Sequence, residues 1–284
     1  MKVLDFLSLI RIKDWLKNII IFLPLIFSGY LINITNYTSL FLGFVIFSLV
    51  SSSIYILNDI IDLQNDSNHP EKKFSKPLAS GKIALNHALI ILFLCILLSI
   101  LLIYFTPKII NFVIIYLIIN ITYNLGLKKI PYLEIFLVSG GYIVRIDVGS
   151  HLINVESSIF LIIAIYCLAI FFLILKRLAE MNHHSNKLYI NSRTVLKYYK
   201  KSTLKYLSFI FMISLLMLLC IYILTINYQL FLSFILIAYF LISYYLSTIN
   251  ETYAENPISY VFSNKKLLIT SILSLLFSLL IYIK

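Results

Sequence analysis

Apolar residues form nine long runs along the chain, each separated from the next by a shorter polar segment. A helix needs about 20 residues to cross the hydrocarbon core of a bilayer, and most of these runs approach that length. Helices satisfy their own backbone hydrogen bonds in lipid, and the runs lack the alternating pattern of a membrane barrel. The sequence therefore predicts an all-α membrane bundle of nine transmembrane helices in a single domain, residues 1–284. The predicted spans are 19–33, 38–57, 87–105, 109–126, 133–150, 158–176, 204–225, 228–247 and 267–283.

Polar residues concentrate before the first run and in two long loops. Residues 1–17 combine apolar positions with a basic end and lack the cleavage site of a signal peptide, so we expect an interfacial amphipathic helix there. Segments 58–86 and 177–203 each follow an even-numbered span. These two loops hold most of the polar side chains, and we expect the functional residues in them.

The distribution of positive charge predicts the orientation of the bundle. Of the 23 Lys and Arg residues, 20 fall on one side if the spans alternate, and the others are Lys108, Lys284 and Arg145. Short loops rich in Lys and Arg face the cytoplasm, so the N-terminus and both long loops are expected there. The net charge of +11 then reflects topology and anionic ligands. Nucleic-acid binding is excluded, because a basic patch for it would need a soluble domain.

Three aspartates and an asparagine follow the second apolar run. In a helix Asn58, Asp62 and Asp66 recur at i, i+4 and i+8, and Asp59 lies one turn from Asp62. Like charges stacked on one face repel, so this arrangement favours a bound divalent cation. A solvated acidic loop after a membrane span is the alternative interpretation. The predicted metal ligands are Asn58, Asp59, Asp62 and Asp66.

Lysines come directly after the acidic run. Pro70 is expected to end the helix and to return Lys72 and Lys73 beside the carboxylates. Mg²⁺ prefers oxygen ligands and commonly joins one or two carboxylates to substrate phosphates. Neighbouring lysines neutralise the phosphate oxygens that the metal does not reach. The segment therefore predicts a magnesium-diphosphate site.

These features together resemble the UbiA-type intramembrane prenyltransferase superfamily, and within it the decaprenyl-phosphate phosphoribosyltransferase branch. The acidic run at the cytoplasmic end of the second of nine spans carries the superfamily resemblance. Its continuation through His69, Pro70 and Lys72 favours the branch, as do several other segments. Those segments are Lys13 to Asn18 with Pro24, Tyr123 to Lys129, Lys176 to Glu180 and, more weakly, Arg193 to Tyr199.

The resemblance implies a UbiA-like fold and a Mg²⁺-dependent enzyme of the bacterial inner (cytoplasmic) membrane that serves cell-envelope biosynthesis. It would move 5-phosphoribosyl from phosphoribosyl pyrophosphate to a polyprenyl phosphate lipid and release pyrophosphate. Superfamily members that prenylate aromatic rings usually carry a second aspartate-rich motif after the sixth span, where this chain has Lys176, Arg177 and Glu180. Two cations and one carboxylate suit a phosphate better than a second metal cluster. Prenyl transfer to an aromatic quinone precursor is the enzymatic alternative, and a transporter or lipid flippase is a more distant one.

Several further residues complete the predicted site. Glu134 and Arg145 are eleven positions apart and share a face of the fifth span. An ionisable residue inside a span usually faces a polar cavity, so Arg145 is expected to line the active cavity, with a structural pair with Asp147 or with another helix as the alternative. Lys17 is the candidate for the lipid phosphate. The predicted catalytic residues are Asp59, Asp62, Asp66 and Arg145; the predicted substrate-binding residues are Lys17, Asn58, Lys72, Lys73, Tyr123, Lys128, Glu134, Lys176 and Arg177.

Overall fold

The computed structural model describes residues 3–28, 34–68, 72–183, 194–225, 228–250 and 257–283, and no β-strand occurs among them. The α-helices are α1 (Val3–Leu9), α2 (Leu23–Phe27), α3 (Ile34–Ile61), α4 (Leu63–Ser67), α5 (Lys72–Ser75), α6 (Leu85–Phe105), α7 (Ile110–Leu125), α8 (Leu133–Leu152), α9 (Ile159–His183), α10 (Lys201–Thr225), α11 (Phe231–Asn250), α12 (Pro257–Ser263) and α13 (Lys265–Ile283). Short 3-10 helices cover Ile12–Phe22, Pro107–Ile109, Leu127–Lys129, Thr194–Tyr198 and Tyr228–Leu230. The prediction of an all-α fold is confirmed for the described residues.

Six helical segments of the described chain are long and apolar enough to cross a membrane, judged by length and composition. They correspond to the second, third, fourth, sixth, seventh and eighth of the nine predicted spans. The chain is thus a multi-span membrane protein. The six segments are Thr35–Ile61, Leu85–Phe105, Pro107–Leu125, Ile159–Asn182, Lys201–Thr225 and Tyr228–Ile249.

The other three predicted spans are not among these six. Helix α8 covers the fifth and is 20 residues long, but it carries Glu134, Arg145 and Asp147, which lower its apolar character. Helix α13 covers the ninth. The first begins within the 3-10 helix Ile12–Phe22, and its last residues, 29–33, lie outside the described chain.

The predicted interfacial helix over residues 1–17 is interrupted in the structure. Helix α1 ends at Leu9, and Arg11 adopts a left-handed backbone with φ 52° before the 3-10 helix begins at Ile12. A non-glycine residue is uncommon in this conformation. The break turns the chain between two amphipathic pieces, and it fixes the position of the Arg11 side chain.

The helices form two compact units, of which the first comprises Met1–Asn124 and Val144–Ser157. Its main core joins α3, α7 and the second half of α8 through buried side chains such as Phe47, Val113 and Val148. Gly149 brings α8 against the N-terminal segment, because a Cβ there would lie 2.1 Å from the carbonyl oxygen of Ile21. This approach is what positions the polar residues of the first unit.

A second, smaller core in the first unit fixes the loop that follows the acidic run. Leu78 and Ile83 are 5% and 3% exposed and pack in one cluster with Leu9 and Ile56. The Ile83 amide also donates to the Pro77 carbonyl, at 3.2 Å. The turn after α5 is therefore anchored to the end of α3 by apolar burial.

The second unit comprises Leu125–Ile143 and Ser158–Lys284. Helices α9, α10, α11 and α13 share one core, in which Phe171, Leu204, Tyr244 and Leu267 are almost completely buried. The 3-10 helix Thr194–Tyr198 adds Val195 and Leu196 to the same cluster. Tyr199, the residue after this short helix, is buried in the same core.

Large apolar side chains on the outer faces agree with a lipid environment. In α6, Phe93, Ile100 and Tyr104 are 61%, 60% and 82% exposed. A continuous apolar surface of this kind is unfavourable in water but costs nothing against acyl chains.

Candidate active site

The acidic run occupies the end of α3, a short interruption and α4. Helix α3 ends at Ile61 and α4 begins at Leu63. The amide of Asp62 still donates to the Asn58 carbonyl and the amide of Asp66 to the Asp62 carbonyl, both at 2.9 Å. The backbone therefore keeps the i, i+4, i+8 spacing that the sequence predicts.

One ammonium group joins two of the aspartates. Lys76 Nζ donates to Asp59 Oδ1 at 2.7 Å and to Asp66 Oδ2 at 2.5 Å. The Asp59 and Asp66 side chains are only 3% and 4% exposed. We call Asp59 and Asp66 the acid pair, because they converge on one cation in a place that is almost closed to water.

Arg11 supplies a second positive charge to the acid pair. Its Nη2 donates to Asp59 Oδ1 at 2.7 Å, and its guanidinium carbon lies 4.6 Å from the centre of the Tyr55 ring. The left-handed backbone of Arg11 costs roughly 1–3 kcal/mol, and such strain is concentrated at functional sites. Arg11 and Lys76 were not among the predicted site residues.

The other predicted residues of this segment are near the acid pair in the sequence. Asn58 and Asp62 are partly buried on the same helical stretch, and Lys73 is exposed. The side chain of Lys72 and all of Pro70 lie outside the described chain. Among the described residues no three His, Cys, Asp or Glu side chains are grouped closely enough to hold a metal ion. The set of four metal ligands thus stays a prediction. Two of its members, Asp59 and Asp66, converge on Lys76.

Arg145 lies at the centre of a buried polar network in the first unit. Its Nε donates to Asn18 Oδ1 at 2.7 Å and its Nη2 to the Tyr116 hydroxyl at 3.0 Å. Asn18 is fully buried and donates in turn to Ser48 Oγ, at 3.0 Å. Asp147, the alternative partner weighed for Arg145, accepts a hydrogen bond from Ser157 at 2.8 Å. The network holds a guanidinium inside the unit and orients it with neutral acceptors.

The N-terminal 3-10 helix contributes two more polar side chains, the predicted residue Lys17 and the neighbouring Trp15. Lys17 forms an ion pair with Asp14 at 2.6 Å, one turn away. The ring Nε1 of Trp15 donates to Ser52 at 3.0 Å, and Ser52 donates to the Ile10 carbonyl at 2.7 Å. These bonds fasten the 3-10 helix to α3 immediately before the acidic run.

The second unit contains a separate ionic cluster built on Arg177. Its Nε and Nη2 donate to the two oxygens of Glu134, at 2.5 and 3.0 Å, and its Nη1 donates to both oxygens of Glu180, at 2.8 Å. Glu134 is fully buried and Arg177 is 3% exposed. Arg177 was predicted to position a phosphate, and its guanidinium is engaged by two carboxylates of its own unit.

Tyr199 completes the Arg177 cluster. Its hydroxyl donates to Glu134 Oε1 at 3.2 Å and accepts from the Tyr132 amide at 3.0 Å. Burial, and secondly the Glu134 carboxylate, raise the pKa of Tyr199 well above its usual range. The phenol is therefore a permanent hydrogen-bond donor to Glu134. Among the other predicted residues, Tyr123 near the end of α7, Lys128 in the following 3-10 helix and Lys176 within α9 are partly buried.

A comparison with models of protein families establishes the family of this chain. Residues 21–282 match the model of the UbiA prenyltransferase family. The chain belongs to the UbiA prenyltransferase family. The resemblance that its motifs carry is thereby confirmed, and the family assignment makes the chain a membrane enzyme of the prenyltransferase class.

Two curated relatives of this UbiA family member share the name decaprenyl-phosphate phosphoribosyltransferase. The protein from Mycobacterium tuberculosis is 28% identical over 181 residues, which cover 61% of this chain and 59% of the relative. The protein from Corynebacterium glutamicum is 29% identical over 181 residues, covering 62% of this chain and 54% of the relative. The match thus spans little more than half the length of these relatives.

A solved structure supports the same fold over the whole UbiA-family chain. The UbiA homolog from Archaeoglobus fulgidus, described as bound to GPP and Mg²⁺, has a TM-score of 0.69 and 17% sequence identity. The superposition covers 98% of this chain and 99% of that one. At this identity the likeness establishes the fold.

The acid pair of this UbiA-family chain fits a magnesium ion. Mg²⁺ keeps several waters and is usually bound by one or two carboxylates together with substrate phosphates. Asp59 and Asp66 are two carboxylates that already share one cation. A site of this kind needs the phosphates of a substrate to complete its oxygen ligands.

Proposed function

We propose that this chain transfers 5-phosphoribosyl from phosphoribosyl pyrophosphate to a polyprenyl phosphate, with Mg²⁺ bound at the acid pair. The bond between ribose C1 and the pyrophosphate oxygen breaks, and a bond forms between C1 and an oxygen of the lipid phosphate. The observation that carries the proposal is the convergence of Asp59 and Asp66 on one cation. Two buried carboxylates with adjacent cations suit a magnesium-diphosphate leaving group.

The residues divide into roles by their positions. Asp59 and Asp66 hold the metal, with Asn58 and Asp62 as further oxygen donors on the same stretch. Bound Mg²⁺ stabilises the negative charge that develops on the departing pyrophosphate. A ribosyl centre that loses its leaving group acquires oxocarbenium character, as glycosidic centres do. The lipid phosphate is already anionic and needs no general base.

Cations of the first unit position the remaining phosphates. Lys17, in the N-terminal 3-10 helix, binds the lipid phosphate at the membrane surface, and Lys72 and Lys73 follow the acidic run towards the diphosphate. Arg145 is held inside the unit by Asn18 and Tyr116. Its fixed guanidinium supplies a positive charge towards the donor, and Tyr123 donates a hydrogen bond to the donor.

Two considerations favour phosphoribosyl over prenyl as the transferred group. The names of the relatives from M. tuberculosis and C. glutamicum specify phosphoribosyl transfer. In addition, the segment where aromatic prenyltransferases usually carry a second aspartate-rich motif has Lys176, Arg177 and Glu180 and no aspartate, and its Arg177 is bound to Glu180 and Glu134. Prenyl transfer to an aromatic acceptor is the second candidate, because it would use the same diphosphate chemistry.

We place the reaction on the cytoplasmic face of a bacterial inner membrane. The support is the charge bias, with 20 of the 23 basic residues on the side of the N-terminus and the acidic run. Phosphoribosyl pyrophosphate is soluble and cytoplasmic, whereas the polyprenyl phosphate reaches the site from the bilayer.

A donor comparison tests the proposal. The protein, purified into nanodiscs with Mg²⁺ and a polyprenyl phosphate, receives phosphoribosyl pyrophosphate labelled in the ribose, and the lipid is then extracted. Label in the lipid fraction is the expected result. In a parallel reaction a labelled prenyl diphosphate and an aromatic acceptor are supplied. Transfer in the second reaction and none in the first would replace phosphoribosyl by prenyl transfer.

A further inference from the structure

Lys76 takes the place that a bridging metal ion needs. Its Nζ lies 2.7 Å from Asp59 Oδ1 and 2.5 Å from Asp66 Oδ2. A Mg²⁺ ion bound to the same two oxygens would sit about 2.0–2.1 Å from each. The ammonium group and a bridging metal ion therefore exclude each other.

The charges of the acid pair and of the two cations bonded directly to it balance. Asp59 and Asp66 carry two negative charges, and Arg11 and Lys76 carry two positive ones. A divalent cation that enters alone displaces Lys76 and, with Arg11 still on Asp59, leaves an excess positive charge beside carboxylates that are 3% and 4% exposed. Uncompensated charge is unfavourable where water is excluded. A diphosphate restores the balance by bringing its own negative charge.

The Lys76 side chain can leave the acid pair without disturbing its backbone. The Lys76 carbonyl accepts from the Ser80 amide at 3.0 Å, and the turn is anchored by Leu78 and Ile83. The side chain itself is 21% exposed. A lysine has a flexible four-carbon stem and a compact charge, so its ammonium can move from a carboxylate to a nearby phosphate.

We propose that Lys76 is a diphosphate-binding residue that occupies the metal position between Asp59 and Asp66 until metal and diphosphate bind together. The inference rests on the proposed diphosphate chemistry but not on which group the diphosphate carries. Lys76 weakens the binding of a metal ion that comes without substrate. When both arrive, the displaced ammonium neutralises phosphate oxygens, and Arg11 stays on Asp59.

Two binding measurements on the full chain in nanodiscs test this role. The first is the affinity for Mn²⁺ alone, from the loss of the free-ion signal in electron paramagnetic resonance. The second is the retention of labelled inorganic pyrophosphate at saturating Mg²⁺. Lys76→Met should tighten Mn²⁺ binding about tenfold and weaken pyrophosphate binding about tenfold, the size of one charged hydrogen bond. These opposite changes distinguish the proposed role from a loss of folding, which weakens both.

Matched variants sharpen the result. Lys82→Met removes an exposed lysine of the same loop and should change neither affinity, whereas Lys76→Arg should keep the wild-type pattern. Asp66→Asn should weaken both. Unchanged or weaker Mn²⁺ binding in Lys76→Met, or unchanged pyrophosphate binding, overturns the role of Lys76. If the wild type binds neither probe, the diphosphate function itself fails.

Discussion

Replacing Arg177 by methionine should strongly destabilise the second unit. The change removes every hydrogen bond from the guanidinium to Glu134, whose side chain is fully buried. A buried carboxylate that loses its cationic partner cannot be rescued by water, and breaking such an ion pair costs about 3–5 kcal/mol. Glu180 contributes less to this cost, because its side chain is 13% exposed and keeps some hydration.

The matched variant for this prediction removes both charges. In Glu134→Gln/Arg177→Met no charge remains at the fully buried position 134, and Glu180 keeps some hydration, so the double variant should recover most of the loss. Unfolding free energies from sodium dodecyl sulfate titrations, followed by circular dichroism, give the double-mutant cycle. A small effect of Arg177→Met, or a double variant as unstable as the sum of the single ones, would refute the structural role. Arg177 would then be available for the phosphate role that its sequence position suggests.

Two further predictions use the same unfolding assay. Gly149→Ala should destabilise the protein by several kcal/mol, because the new Cβ would lie 2.1 Å from the Ile21 carbonyl oxygen. Gly140 lies on the same helix, and a Cβ there would have no atom within 4 Å. Gly140→Ala should therefore raise the unfolding free energy by up to about 1 kcal/mol. Equal effects of the two would contradict the close approach at Gly149. Burial raises the pKa of Tyr199, so the unfolded chain deprotonates first and stability falls as pH rises above about 10. Tyr199→Phe should lessen this fall, and an unchanged pH profile would contradict the buried position.

The features that the sequence predicts correctly are local ones. The length of each apolar run is enough to recognise α3, α6, α7 and the other membrane-length helices. The spacing of Asn58, Asp62 and Asp66 is likewise a property of one stretch of helix, and the backbone retains it. Helix α8 is less apolar than the six membrane-length segments. The ionisable residues that suggest a function for α8 also lower its hydropathy.

The partners of these residues depend on tertiary structure and could not be predicted. Arg11 meets Asp59 across 48 residues, and Arg177 meets Glu134 across 43. In the sequence Arg11 is one basic residue among several before the first span. The sequence gives only a weak indication of Lys76, which lies ten residues after Asp66 in the lysine-rich segment. The prediction of Lys72 and Lys73 rests on Pro70, which is expected to return the chain beside the carboxylates.

Arg177 shows how an interpretation from composition can miss a contact. Next to Lys176, with one glutamate in the motif, it predicted an anion site. In the structure a second carboxylate, Glu134, comes from α8 and engages the same guanidinium. In the structure the motif forms a buried ionic cluster. The proposed function therefore assigns the phosphate ligands to cations of the first unit.

The initial rate of ribose-label transfer from phosphoribosyl pyrophosphate to polyprenyl phosphate tests the central claim most directly. Wild type and Asp5→Asn, which alters a carboxylate of α1 that is not a member of the acid pair, should transfer label at similar rates. Asp66→Asn should be slower by about 100-fold or more, because the leaving-group charge loses its stabilisation. Transfer by Asp66→Asn at the wild-type rate, or no transfer by the wild type, would contradict the account.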